Sequence, residues 1–235
     1  MVNEVLRNIS LIVICYGYIA LVISISSKIG PLLHVSRKTS RKFLHIMIGN
    51  LMFIIPFFTS SIYPTLVAAP FILVTLIASP FSPIKAFSVR LKGLLDITEQ
   101  GHSLGLFFYA VSYTILAFFF ASETYMHILA AGIMPMAYGD AFASIVGEKY
   151  GRRRLDSIAR KSVEGTVAMF FFSLVSLSII FSFFSLFNPL LFPNKIYALI
   201  IVALVAAIVE IISPLGFDNL TVPICCALMM LLIEQ

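Results

Sequence analysis

The chain has 235 residues, of which 60% are hydrophobic and 11% charged, with no Trp, a mean hydropathy of +1.03 and a net charge of +5. A soluble domain usually carries about a quarter charged residues, so this composition excludes a soluble globular protein and points to an integral membrane protein with no nucleic-acid partner. Long continuous apolar runs, rather than alternation in short blocks, exclude a transmembrane β-barrel.

In chain order, apolar runs long enough to span a bilayer lie at 5–26, 43–58, 62–79, 103–120, 125–146, 165–187, 196–212 and 220–234. They predict an all-α bundle of about eight transmembrane helices in a single domain, 1–235. The second and last runs are short, so a tilted or re-entrant segment, and hence seven spans, is the fallback. The first run is long and its charges follow it, at Lys28, Arg37, Lys38, Arg41 and Lys42. It reads as a first helix entering with the N-terminus outside rather than as a cleaved signal.

With eight spans, the loops at 27–42, 80–102, 147–164 and 213–219 share one side and hold every Lys and Arg except Arg7 and Lys195. The positive-inside rule makes that side cytosolic. Helices two, four, six and eight begin there, behind candidate caps Ser40, Ser103, Ser162 and Thr221, the last followed by Pro223. Converging positive helix ends and basic loops suit a polyphosphate anion. Cys15, Cys225 and Cys226 form no C-x-x-C pair and suggest neither a disulfide framework nor a zinc site.

The fifth run carries Asp140 beside Gly139, and an ionisable group in an apolar segment marks a site by default. Ala143, Gly147 and Gly151 follow at offsets of three, seven and eleven, on one helical face. Helix packing through small residues accounts for Ala143 and Gly147 but not for Asp140. The loop GEKYGRRRLDSIARKSVEG then presents Arg152, Arg153, Arg154, Arg160 and Lys161 ahead of Ser162, Glu164 and Gly165. Lys161, Gly165 and Ala168 share a face, and such a basic loop also suits anionic lipid headgroups.

Near the end, Glu210 lies inside the seventh run and Asp218-Asn219 precede the eighth. These carboxylates either pair with the Lys and Arg residues, or Asp140, Glu164 and Asp218 hold Mg²⁺, which takes one or two carboxylates plus substrate phosphates. Phosphoryl transfer needs both acids for a metal and cations for the phosphate oxygens. No G-x-x-x-x-G-K-[ST] loop, kinase-type G-x-G-x-x-G or H-E-x-x-H is present.

The pattern Asp140, Ala143, Gly147, Gly151, then Lys161, Gly165, Ala168 resembles the nucleotide-binding signature of the CTP-dependent polyprenol kinases, a family that includes dolichol kinase, phytol kinase and the CTP-dependent diacylglycerol kinase of yeast type. Arg41-Lys42-x-x-His45, Gly101-x-x-x-Gly105 and Asp218-Asn219-x-Thr221-x-Pro223 extend the likeness over about 41 to 223. The resemblance implies a multi-pass enzyme that transfers the γ-phosphate of CTP to a lipid alcohol with Mg²⁺. It also implies Asp140, Asp218 and Lys161 as catalytic groups, with Gly147, Gly151, Arg152, Arg153, Arg160, Lys161, Gly165 and Asn219 around the nucleotide.

Arg41, Lys42, His45, His102 and Glu210 rank below these. Phe-rich runs at 107–120 and 170–187 either line a groove for the isoprenoid chain or face lipid. The enzyme would lie in the cell membrane of a prokaryote, or in the endoplasmic reticulum or a plastid membrane of a eukaryote. Alternatives are a diacylglycerol kinase, a CTP:lipid-phosphate cytidylyltransferase and a small anion transporter. Charges gathered at one interface, without an internal repeat, disfavour the last.

Overall fold

The computed structural model describes residues 2–33, 37–79, 104–155, 161–188, 196–214 and 216–234. All eight apolar runs are helical in their described parts, and among the described residues no strand forms. The helices are α1 (Val2–Leu33), α2 (Arg37–Gly49), α3 (Ile62–Ala68), α4 (Pro70–Ala78), α5 (Gly105–Phe120), α6 (Met126–Met134), α7 (Asp140–Tyr150), α8 (Val163–Phe184), α9 (Ile196–Ile212) and α10 (Asp218–Ile233).

Three helical stretches, Val2–Lys28, Met126–Tyr150 and Val163–Phe184, are long and apolar enough to cross a membrane. The second run gains length in two ways: α2 starts as early as Arg37, and it continues as a 3₁₀ helix over Asn50–Phe57. At 1.5 and 2.0 Å rise per residue the apolar part from Phe43 to Phe57 covers about 26 Å, close to the roughly 30 Å of a hydrocarbon core. The last run stays short, about 24 Å over α10.

Every residue of α6 is buried, which makes it the axis of the bundle. On α1, by contrast, Cys15, Ile19 and Val22 form a buried stripe, while Val5, Leu6, Val13, Ile14 and Leu21 are exposed apolar side chains. Such a face is at home against lipid tails, where exposure of hydrocarbon costs nothing.

Prolines decide several local features. Pro70 begins α4 directly after α3 and has no N–H to give to Leu66 O; Tyr16 of α1 donates its hydroxyl to that carbonyl at 2.7 Å. Within α10, Pro223 likewise leaves Asn219 O without its helical donor, and Ser112 of α5 supplies a hydroxyl at 2.9 Å. Freed carbonyls in a membrane must be satisfied inside the protein, and here neighbouring helices do it.

Pro135 follows α6 and opens a π-helical turn, Pro135–Gly139, after which the Asp140 N–H bonds to Pro135 O. The extra residue in this turn re-aims the helix immediately before Asp140. Such π-bulges recur at functional sites.

Two expected caps differ. Ser40 lies inside α2, and Thr221 lies inside α10, where its hydroxyl donates back to Phe217 O at 3.0 Å. Ser162 does cap α8, accepting the Gly165 N–H at 3.1 Å. Ser103 lies outside the described residues.

Candidate functional site

Asp140, Lys161, Glu210 and Asp218 meet at one end of the bundle although they come from four separate parts of the chain. Lys161 is the hub. Its Nζ lies 2.6 Å from Glu210 Oε1, 3.7 Å from Asp218 Oδ2 and 3.9 Å from Asp140 Oδ1. Lys42 of α2 donates to the other oxygen of Asp140 in a fully buried ion pair. Arg41 is buried beside it, and its Nε and Nη1 have no hydrogen-bond partner among the described residues.

Local structure explains how each group arrives. Lys161 sits at the base of a small hairpin between α7 and α8, held by an antiparallel bridge between Arg154 and Ser162. Leu155 N donates to Lys161 O at 2.8 Å and Val163 N to Arg153 O at 3.0 Å. Asp218 opens α10, where its Oδ1 accepts its neighbour's Asn219 N–H at 3.0 Å. Glu210 is carried on the buried face of α9 with Ala203, Ala206 and Ala207. Lys42, His45 and Gly49 lie at offsets of three and seven, so one face of α2 turns to the cluster. A side chain at Gly49 would collide with Ala137 Cβ, which shows how closely α2 approaches the π-turn ahead of Asp140.

Three buried acids, Asp140, Glu210 and Asp218, meet the part-buried Lys161 and the buried Lys42, with Arg41 buried next to Lys42. Burial of the Lys161 ammonium opposes its charge, yet Glu210, Asp140 and Asp218 outweigh this and hold its pKa above the usual lysine value. The lysine therefore stays protonated across the physiological range. Desolvating so many charges is expensive, and a buried ionic network is weak support for stability. Its place in an otherwise apolar helix bundle makes it the candidate functional site.

The remaining expected site residues distribute unevenly. Glu164 does not join the cluster; it lies in the first turn of α8, behind the Ser162 cap. The expected metal set of Asp140, Glu164 and Asp218 is thus not assembled, and no group of three acid, His or Cys side chains suited to a metal occurs among the described residues. Arg152 and Arg153 are exposed on the hairpin and do not reach the acids. Arg160 and His102 lie outside the described residues, as does Gly101.

Gly147, Gly151 and Gly165 face protein rather than an open cradle. A Cβ at Gly147 would lie 3.0 Å from Ser162 Oγ, one at Gly165 would lie 3.0 Å from Ala143 O, and one at Gly151 would lie 2.3 Å from Gly147 O. The small-residue stripe is therefore the seam along which α7 and α8 approach, and through the Ser162 cap it sets the position of Lys161. Asn219 is buried at the start of α10 with its Nδ2 against Gly105 of α5, and its Oδ1 has no partner among the described residues.

Sequence reasoning underrated Lys42 and Glu210. Both are buried ionisable residues in or beside apolar runs, and that was the signal available for them. His45 is buried one turn beyond Lys42, its ring 4.6 Å from that of Tyr109, whose hydroxyl donates to His45 O at 3.3 Å.

Chemically, the cluster holds its lysines on carboxylates that a polyanion would displace. Asp140 Oδ1 and Glu210 Oε2 make no hydrogen bond among the described residues, which leaves lone pairs for a hard cation. Asp140 and Asp218 each approach the same ammonium within 4 Å, so two carboxylates fit the small protein share of a Mg²⁺ shell.

Comparison with known proteins finds no matching family model and no matching solved structure. Curated relatives are found. The chain is 37% identical over 154 residues to a phytol kinase of Synechocystis sp., a match covering 62% of this chain and 61% of that protein. It is 27% identical over 239 aligned positions to phytol kinase 1, chloroplastic, of Arabidopsis thaliana, covering 96% of this chain and 76% of that one. With the probable phytol kinase 2, chloroplastic, of Glycine max it shares 26% identity over 206 positions, 85% of this chain and 66% of the relative. The chain thus spans less than two thirds of the cyanobacterial relative's length.

Proposed function

We propose that this chain is a membrane-embedded lipid-alcohol kinase that transfers the γ-phosphate of CTP to an isoprenoid alcohol of the phytol, geranylgeraniol or polyprenol type. The observation that carries the reading is the Lys161 hub, a single ammonium ringed by three buried carboxylates and flanked by the Lys42–Asp140 pair. Similarity to phytol kinases, which are phosphotransferases with an alcohol acceptor, supports it. The use of CTP rests on the family resemblance of the sequence motifs.

In this reading Lys161, Lys42 and Arg41 take the triphosphate oxygens and stabilise the charge of the transferring group. Asp140 and Asp218 are the residues that would hold Mg²⁺, which would supply neutralisation of the phosphate charge. The alcohol oxygen forms a bond to the γ-phosphorus, the bond from that phosphorus to the β-γ bridging oxygen breaks, and CDP departs. The hydroxyl proton passes to a buried carboxylate, for which Glu210, with one oxygen unpartnered among the described residues, is suited. The bias of Lys and Arg to one set of loops supports a reaction at the cytosolic face, in the cell membrane of a prokaryote or an endoplasmic reticulum or plastid membrane of a eukaryote.

Purified protein given γ-labelled CTP and a panel of phytol, geranylgeraniol, a polyprenol and diacylglycerol tests the proposal. Label is expected on an isoprenoid alcohol. Label in pyrophosphate would instead identify a cytidylyltransferase acting on a lipid phosphate, and label on diacylglycerol alone would reassign the acceptor.

A further inference from the structure

Between α1, α2, the 3₁₀ segment, α3, α4 and α5 runs an apolar cleft whose walls include Cys15, Ile19, Leu51, Val67, Phe71 and Ala110. It is separate from the charge cluster, and the helix bundle closes without filling it. Three hydroxyls line it. Tyr109 gives its own to His45 O and Thr75 to Phe71 O at 2.6 Å, while Tyr113 Oη has no partner among the described residues. Walls so poor in polar groups suit a hydrocarbon chain.

The cleft and the cluster share a rim. On α2, Leu44 lines the cleft two residues after Lys42, which pairs with Asp140. On α5, Leu106 lines it one residue after Gly105, which packs against Asn219 beside Asp218. Tyr109, a third wall residue, packs its ring at a tilt against that of His45. From that rim the cleft descends along α1 from Ile23 to Cys15, a drop of about 12 Å at 1.5 Å per residue. Helix α2 is the partition, with Lys42 turned to Asp140 and Leu44 and Ile48 turned to the cleft.

We infer that this cleft holds the hydrocarbon tail of the acceptor alcohol, with the tail's hydroxyl end at the Leu44–Leu106 rim facing Lys42 and Asp218. The inference rests on the lipid-alcohol kinase reading and adds to it the subsite that measures chain length. It also replaces the Phe-rich faces of α5 and α8 as the groove: Phe118, Phe119 and Phe171 are exposed on the outside of the bundle.

Two experiments with the full-length protein in detergent or nanodiscs test it. In the first, Ala110→Phe and, on the opposite wall, Val67→Phe fill the cleft without touching the cluster. KM for a C20 isoprenoid alcohol should rise tenfold or more, while KM for CTP and turnover with a C5 prenyl alcohol stay within twofold; retained C5 turnover reports a folded enzyme. Equal loss with both alcohols in both variants, or no change with the C20 alcohol, overturns the inference. In the second, a C20 alcohol carrying a tail diazirine is photolysed on the protein without nucleotide. Label is expected within 44–55 and 106–113, and label confined to the outer face of α8 or shared evenly with a diazirine fatty acid overturns it. Because the photolabel needs no catalysis, a wild-type protein that binds in the cleft yet phosphorylates no alcohol sinks the kinase reading and leaves the cleft assignment standing.

Discussion

Replacing Asp140 by Asn preserves volume and hydrogen-bonding capacity and removes one charge. Two consequences can be separated because the partners are known. First, Lys42 would be left buried without its paired carboxylate. Breaking a buried ion pair by removing one partner costs about 3–5 kcal/mol, so Asp140→Asn alone should melt markedly lower in detergent. Second, if Asp140 holds metal and phosphate charge, turnover per folded molecule should fall about a hundredfold or more, the usual loss for a key electrostatic group. The double variant Asp140→Asn with Lys42→Met removes both charges and should recover most of the stability, because the orphaned ammonium is gone. Activity should stay lost, since neither the metal ligand nor the phosphate cation returns. The assay is lipid phosphorylation normalised to the folded fraction, measured alongside thermal melting. A stable and fully active Asp140→Asn would refute both arguments, and a double variant that regains activity with stability would reduce Asp140 to a structural partner of Lys42.

Lys161→Ala should raise the apparent CTP constant and lower turnover by about 10²–10³-fold, as for loss of a transition-state charge donor; unchanged kinetics on the folded protein would assign the hub to structure alone. Ser112→Ala leaves the Asn219 carbonyl beside Pro223 without a donor, so a loss of about 1–3 kcal/mol is expected in a denaturant titration. Gly132→Ala places a Cβ 2.7 Å from Pro223 O and 2.6 Å from Leu116 Cδ1, which should destabilise by about 1–3 kcal/mol and lower the melting temperature without altering KM for either substrate. A cysteine replacing exposed Arg153 on the hairpin, in a background with Cys15, Cys225 and Cys226 removed, should react with an impermeant thiol reagent only from the cytosolic side; labelling from outside would invert the proposed topology.

Much of the architecture follows from local composition. Eight apolar runs are helices because a chain in lipid has to satisfy its own backbone groups, and run length alone locates such segments. Asp140 stood out for the same reason, as a charge where charge is costly. The one-sided placement of Lys and Arg is likewise a property of the sequence.

Only the tertiary structure could decide which charges meet. Helical periodicity assigns a residue to a face, but it does not say which faces pack together across long separations. Lys42 reaches Asp140 from 98 residues away and Lys161 reaches Glu210 from 49, through the packing of α2 and α9 on the Pro135–Gly139 π-turn. Glu164, expected beside Asp140 and Asp218, is instead carried in the first turn of α8 behind the Ser162 cap, while Glu210 takes the place at Lys161. The glycines that resemble a nucleotide signature proved to be the α7–α8 seam, since a Cβ there meets backbone and a capping hydroxyl. The π-turn arises where the missing N–H of Pro135 shifts the hydrogen-bond register, and the cleft beside α2 has no local signature: it lies where helices from the first half of the chain leave space unfilled.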